Sequence, residues 1–267
     1  MLKERVITAL WGLPLLIIAV WFDEPLPWFA VLVALWGLGA VCEFYRLVGV
    51  FKVRSLAALG IFGTLLFILS PYCPYGLTVP LLLTATVVLP LGWLVLRPEK
   101  EGAFLSWAWT IAGALYVGWL LSYLVALRLE AGREWVFLAL FGTFGSDTAA
   151  FFVGRALGRR PLAPRISPRK TWEGAIGGVL GAVIVSLLFT LPTPLNLPLS
   201  YGQAVLLGLL ISVFGQFGDL VESLLKRNTG AKESGKLLPG HGGFLDRMDS
   251  LVFAGVVVYL YYIFAVV

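Results

Sequence analysis

The stretch GQAVLLGLLISVFGQFGDLVESLLKR, residues 202–227, decides the fold. It carries no charged side chain until Asp219 and ends on the basic pair Lys226 and Arg227. A helix needs about 20 apolar residues to cross the hydrocarbon core, so this segment reads as a membrane span with its polar end at one surface. Similar runs fill the chain. Nine candidate spans fall at roughly 6–22, 27–45, 55–71, 78–96, 103–127, 135–154, 174–191, 202–225 and 249–267. Hydrophobic residues make up 59% of the 267 positions and charged residues 13%, with a mean hydropathy of +0.91. That composition excludes water as the main solvent and leaves no room for a separate soluble domain. The expected fold is an all-α, polytopic transmembrane helical bundle of about nine spans, with five of them in 1–134 and the rest in 135–267.

An odd number of spans puts the termini on opposite sides. With the N-terminus in the cytoplasm, all but Arg128 and Arg133 of the 20 Lys and Arg residues fall on the cytoplasmic face, as the positive-inside rule requires. The C-terminus is then outside. The first span runs on through Trp21 without a small-residue cleavage site, so it reads as a retained helix and not a signal peptide. The net charge of +5 is a topology and anionic-headgroup signal. It offers no basic soluble face for nucleic acid. Cys42 and Cys73 are too few for a metal site or a disulfide framework. Trp21, Trp28, Trp135 and Tyr201 stand near span ends as interfacial anchors.

Polar residues crowd one side. The outer connections 71–76 and 192–200 carry no charge, whereas the cytoplasmic connections 155–173 and 226–249 are rich in Arg and Lys. Asp147 and Asp219 lie inside apolar spans, where a charge is costly unless paired, solvated or bound to a cation. They precede Arg155 and Lys226 by eight and seven residues, which places them about 10–12 Å below the basic surface at 1.5 Å per residue. Asp219, Glu222, Ser223 and Lys226 fall at i, i+3, i+4 and i+7, on one helical stripe. One reading is an ion pair of Asp219 and Glu222 with Lys226 at a helix end; the other is a ligand site.

In the segment His241-Gly242-Gly243-Phe244-Leu245-Asp246-Arg247-Met248-Asp249, adjacent glycines let backbone N–H groups approach an anion as the chain enters its last helix. Carboxylates beside a phosphate loop call for a divalent cation, and Mg²⁺, hard and oxygen-seeking, fits. A Gly-rich turn capped by Asp is the plainer alternative. With one histidine, His241, a multi-His metal site is excluded. Ser223 has no base beside it in sequence, so a hydroxyl contact to phosphate or metal suits it better than nucleophilic attack.

The run Ser223-Leu-Leu-Lys226-Arg227, then Lys232-Glu233, then His241 through Asp249 resembles the signature of the phosphatidate cytidylyltransferases. Gly218-Asp219, the stretch from Ser146-Asp147, and Ala163-Pro-Arg165-Ile-Ser167-Pro-Arg169-Lys170-Thr171-Trp172-Glu173-Gly174 are similar too. These motifs cover the C-terminal half. The family usually has Asp where this chain has Glu233.

The resemblance implies an enzyme of the bacterial cytoplasmic membrane, with its active site facing the cytoplasm. It would condense CTP with phosphatidic acid to CDP-diacylglycerol and pyrophosphate, with one or two divalent cations such as Mg²⁺ and room for a second, different one. Under it, Asp219 and Asp246 are the expected metal ligands with Asp249 a third. Asp219, Asp246, Lys226 and Arg227 form the catalytic set. Lys232, Arg247, His241, Gly242, Gly243 and Ser223 would bind phosphate, and Asp147, Arg169 and Lys170 would complete the pocket around the lipid headgroup. A CTP-dependent polyprenol or dolichol kinase-like enzyme would use the same nucleotide, and a cation-coupled transporter would place Asp147 and Asp219 on an ion path. Gly174, Gly177, Gly178 and Gly181 permit close helix packing within one chain or in a homodimer.

Overall fold

The computed structural model describes residues 2–51, 56–97, 101–235, 237 and 242–266, with the side chains of 2–9 and of 75 outside that description. The helices are α1 (Leu2–Trp21), α2 (Trp28–Val48), α3 (Ala57–Leu69), α4 (Tyr75–Leu96) and α5 (Ala103–Gly113). A π-helical stretch, Ala114–Trp119, carries α5 into α6 (Leu120–Glu130). There follow α7 (Arg133–Leu157), α8 (Trp172–Leu188), α9 (Tyr201–Asn228) and α10 (Asp249–Ala265).

Among the described residues, five helical segments have the length and apolarity to cross a membrane: Trp28–Phe51, Gly76–Leu96, Ala103–Glu130, Arg133–Leu157 and Tyr201–Asn228. Shorter apolar helices, Leu10–Trp21, Ala57–Tyr72, Trp172–Leu188 and Asp249–Ala265, stand where the other spans are expected. The segment Gly76–Leu96 buries only 6% of its most apolar window inside the protein. An apolar helix left largely uncovered needs lipid as its solvent.

One element departs from the all-α expectation. Strands β1 (Pro161–Ala163) and β2 (Ser167–Thr171) form an antiparallel hairpin, with Pro161 opposite Thr171 and Ala163 opposite Ser167. Pro161, Pro164 and Pro168 cannot donate a backbone hydrogen bond, which disfavours helix here and suits a short, tightly turned ribbon. Thr171 ends β2 and caps α8, its Oγ1 accepting from the Gly174 amide at 3.2 Å, the usual duty of an N-cap threonine.

The chain forms two compact units. The first comprises Met1–Val125 and Asn228–Arg247, the second Ala126–Arg227 and Met248–Val267. In the first, α2 is the central helix, burying Phe29, Val33, Ala40, Val41 and Phe44. The Tyr45 hydroxyl donates to the Thr110 carbonyl at 2.7 Å, and the Thr110 hydroxyl accepts from the Leu56 amide at 2.9 Å. These bonds satisfy polar groups that would be expensive to bury alone.

In the second unit α7 and α8 pack backbone to backbone. A Cβ at Gly181 would stand 2.6 Å from the Gly145 carbonyl oxygen, so the small-residue stripe of α8 serves packing within the chain. Ser146 and Ser212 share a 2.7 Å hydrogen bond, and the Gln216 side chain donates to the Ala175 carbonyl at 3.1 Å. These bonds fix α9 against α7 and α8. Gly181→Leu is expected to separate α7 from α8 and to destabilise the protein by about 1–3 kcal/mol, the usual cost of forcing bulk into a packed site. A lowered melting temperature in detergent is the readout.

Candidate active site

Helix α9 brings an acidic stripe to its last turns, and the start of α10 meets it. Oxygens of Asp219, Glu222 and Asp249 all lie within 4.8 Å of one another. Asp219 and Glu222 arrive together because they are three residues apart on one helix. Asp249 joins them because α9 and α10 touch closely at Gly218, where a Cβ would collide with the Asp249 carbonyl oxygen. Glu222 is fully buried.

Two lysines answer this charge. Lys170, at the end of β2, places Nζ 2.5 Å from Asp219 Oδ2. Lys226 reaches back one turn of α9 to Glu222 Oε2 at 2.6 Å. Asp249 also feels the like charges of Asp219 and of Asp147 on α7, and the opposite charge of Lys226. Four carboxylates against two ammonium groups leave a formal excess of two negative charges. Three hard oxygen donors at this spacing, in surroundings with that excess, fit a divalent cation such as Mg²⁺. Proton or cation binding is what allows such carboxylates to share a site.

Other expected residues line the same unit. The Ser223 hydroxyl donates to Asp219 Oδ1 at 3.3 Å, so it helps to hold that carboxylate. Arg227 Nε donates to the Ile166 carbonyl at 3.1 Å, tying the end of α9 to the hairpin turn. Glu173 accepts from the amides of Arg159 and Arg160 at 3.1 and 3.2 Å and holds the approach to the hairpin. Arg169 is exposed beside Lys170 on β2.

The loop of the first unit is built differently from expectation. Asp246 is not part of the acidic group found among the described residues. Its Oδ2 accepts from the amides of Ser234 and Gly243, both at 2.9 Å. Gly242 takes φ = +82°, and a Cβ there would stand 2.7 Å from Asp246 Oδ2. The Gly243 amide is thus engaged by the chain's own carboxylate, and Gly242 leaves the space that this carboxylate fills. Lys232, Glu233 and Arg247 are exposed, and His241 lies outside the described residues.

Two acids carry more of the architecture than the sequence reading gave them. Glu222 stands on the recognised polar stripe but is not among the expected metal ligands; its i+3 spacing from Asp219 is the signal for a shared ligand site. Glu43 lies within an apolar span, the same signal that drew attention to Asp147 and Asp219. It is fully buried against Ser234 and Leu245.

The profile of the cytidylyltransferase family matches residues 3–265. Over 154 residues, 57% of this chain and 56% of the relative, the sequence is 44% identical to the phosphatidate cytidylyltransferase of Bacillus subtilis. Identity to the phosphatidate cytidylyltransferase of Brucella suis is 46% over 155 residues, covering 57% of this chain and 56% of that protein. A chloroplastic relative from Arabidopsis thaliana, named phosphatidate cytidylyltransferase 4, is 39% identical over 204 residues, 67% of this chain and 51% of its own length. The chain thus spans little more than half the length of the curated relatives it matches. With nearly every residue inside the family profile, the chain belongs to the cytidylyltransferase family.

Proposed function

We propose that this protein transfers CMP from CTP to phosphatidic acid, forming CDP-diacylglycerol and pyrophosphate in phospholipid biosynthesis. The observation that carries the reading is the group Asp219, Glu222 and Asp249 beside Lys170 and Lys226, in a chain whose relatives bear that enzyme's name. An oxygen of the lipid phosphate attacks the α-phosphorus of CTP, and the bond from that phosphorus to the bridging oxygen of the β-phosphate breaks. Pyrophosphate leaves with that electron pair. Both reactants are anionic, so positioning and charge neutralisation supply most of the acceleration.

Asp219, Glu222 and Asp249 would hold a divalent cation, which when bound supplies positive charge toward the phosphates. Lys170 and Lys226, released from their carboxylates as the cation binds, would turn their ammonium groups to phosphate oxygens. Arg169, Arg227 and Asp147 complete this side. For Lys232, Arg247, His241 and Asp246 the support is the sequence signature itself, which assigns them to phosphate and metal binding.

The basic residues further support a topology of nine spans with the N-terminus and the active site at the cytoplasmic face and the C-terminus outside. A cation held about 10 Å below the headgroup level suits a lipid phosphate that arrives laterally from the bilayer. Purified protein in detergent, given phosphatidic acid, labelled CTP and Mg²⁺, is expected to yield labelled CDP-diacylglycerol and pyrophosphate, and none after chelation. CDP with a phosphorylated lipid alcohol would instead identify a kinase, and no labelled lipid at all would reject both.

A further inference from the structure

Helix α2 belongs to the half of the chain in which the signature motifs are absent, yet one of its faces is shaped around the signature loop. Trp36, Gly39 and Glu43 follow at i, i+3 and i+7, a single stripe. The Trp36 indole N–H donates to the Phe244 carbonyl at 3.0 Å, and its ring meets the Phe244 ring edge-on with centroids 5.1 Å apart. A Cβ at Gly39 would stand 2.5 Å from the Phe244 ring, so only glycine seats that ring.

Glu43 completes the contact. Its Oε2 accepts from the Ser234 hydroxyl at 2.9 Å and from the Leu245 amide at 3.0 Å. Ser234 Oγ in turn accepts from the Asp246 amide at 3.3 Å, and the Ser234 amide donates to the Asp246 carboxylate. One side chain of α2 therefore reaches Ser234 and Leu245 and, through Ser234, both the amide and the carboxylate of Asp246. A Cβ at Gly235 or Gly243 would overlap the Glu43 carboxylate, so the backbone at both glycines packs tightly against it. Glu43 is fully buried, forms no ion pair among the described residues, and leaves Oε1 without a hydrogen-bond partner there. Burying a carboxylate in this way is expensive, and simple packing would be better served by leucine.

We propose that Glu43 is a positioning residue of the reaction, setting through Ser234 the conformation of the loop residues Asp246 and Arg247, which the signature assigns to metal and phosphate binding. The proposal rests on the cytidylyltransferase reading above. Because Oε2 alone takes both loop donors, geometry and not charge is what Glu43 supplies.

Glu43→Leu is accordingly expected to lower kcat by about 10²-fold with a smaller change in KM for CTP, the scale seen when supporting contacts of an active site are lost. Glu43→Gln, which keeps an acceptor for Ser234 and Leu245, is expected to retain kcat within about 5-fold. Ser234→Ala breaks the relay without touching α2 and is expected to cost about 10-fold. It also serves as the test should the leucine variant fail to fold. Hydrogen–deuterium exchange provides a readout independent of catalysis: amides of 234 and 243–246 lose protection in the leucine and alanine variants and keep it in Gln.

If wild-type protein makes no CDP-diacylglycerol, the enzymatic reading fails while the exchange data still report on the loop. Full kcat per folded molecule in both Glu43→Leu and Ser234→Ala overturns the proposal. So does a Gln variant as inactive as the leucine variant, since charge would then be what matters.

Discussion

Asp219→Asn is expected to reduce CDP-diacylglycerol formation by about 10³-fold or more, the scale of losing one preorganised electrostatic group at a phosphoryl-transfer centre. Asp219 has two duties, each on its own oxygen. Oδ1 accepts from Ser223 and Oδ2 meets the Lys170 ammonium. Asparagine keeps the shape and one acceptor, so the Ser223 contact and the fold survive. The negative charge does not survive, and cation affinity falls with it. Turnover with labelled CTP across a Mg²⁺ titration, beside a melting curve in detergent, separates the two effects: activity collapses and stays low at high Mg²⁺ while the melting temperature holds. Undiminished turnover would remove the proposed cation site. Asp246→Asn makes an informative comparison, because the loop's Ser234 and Gly243 amides hold the Asp246 carboxylate. Its loss of activity would be accompanied by lost amide protection in the loop, which Asp219→Asn should leave intact.

The helical, lipid-facing character of the chain is plain in its hydropathy, since water cannot solvate runs such as Gly76–Leu96 and lipid tolerates only helices and closed barrels. The polar stripe of α9 was equally legible, because helical spacing alone puts Asp219, Glu222 and Lys226 on one face. Spacing alone does not fix which acids meet, although the resemblance already puts Asp249 with Asp219. The meeting of Asp249 with Asp219 depends on Gly218 letting α10 approach, a tertiary contact that spacing along the chain does not encode. Asp246 looked equivalent to Asp249 three residues away. The difference is that Asp246 lies in the short helical turn Leu245–Arg247, turned toward amides of its own loop, whereas Asp249 begins α10. The hairpin was hidden for a related reason: three prolines forbid a helix but do not specify a ribbon. Nothing in the spacing around Glu43 marks its partner, since the folded chain buries it against Ser234, nearly 200 residues away.

The lysine at the end of α9 gives the second large effect. Lys226 is only 14% exposed and its partner Glu222 is not exposed at all. Removing one member of such a pair leaves a buried charge uncompensated, at a cost of about 3–5 kcal/mol. Here the penalty is sharpened by Asp219 and Asp249, whose oxygens lie within 4.8 Å of those of Glu222, since the lost ammonium had offset repulsion among all three. Lys226→Met is therefore expected to unfold at much lower temperature without added cation and to regain part of that loss with Mg²⁺, which replaces the missing positive charge. Adding Glu222→Gln removes the stranded carboxylate, so the double variant should recover to within about 1 kcal/mol of the wild-type stability. Activity should not recover, because both a proposed cation ligand and a proposed phosphate-binding ammonium have gone. Thermal unfolding of the four proteins of this cycle, with and without Mg²⁺, measures the coupling directly. Additive changes would show that Lys226 and Glu222 are neighbours without energetic consequence, and a Lys226→Met variant indifferent to Mg²⁺ would argue that no cation binds beside Glu222.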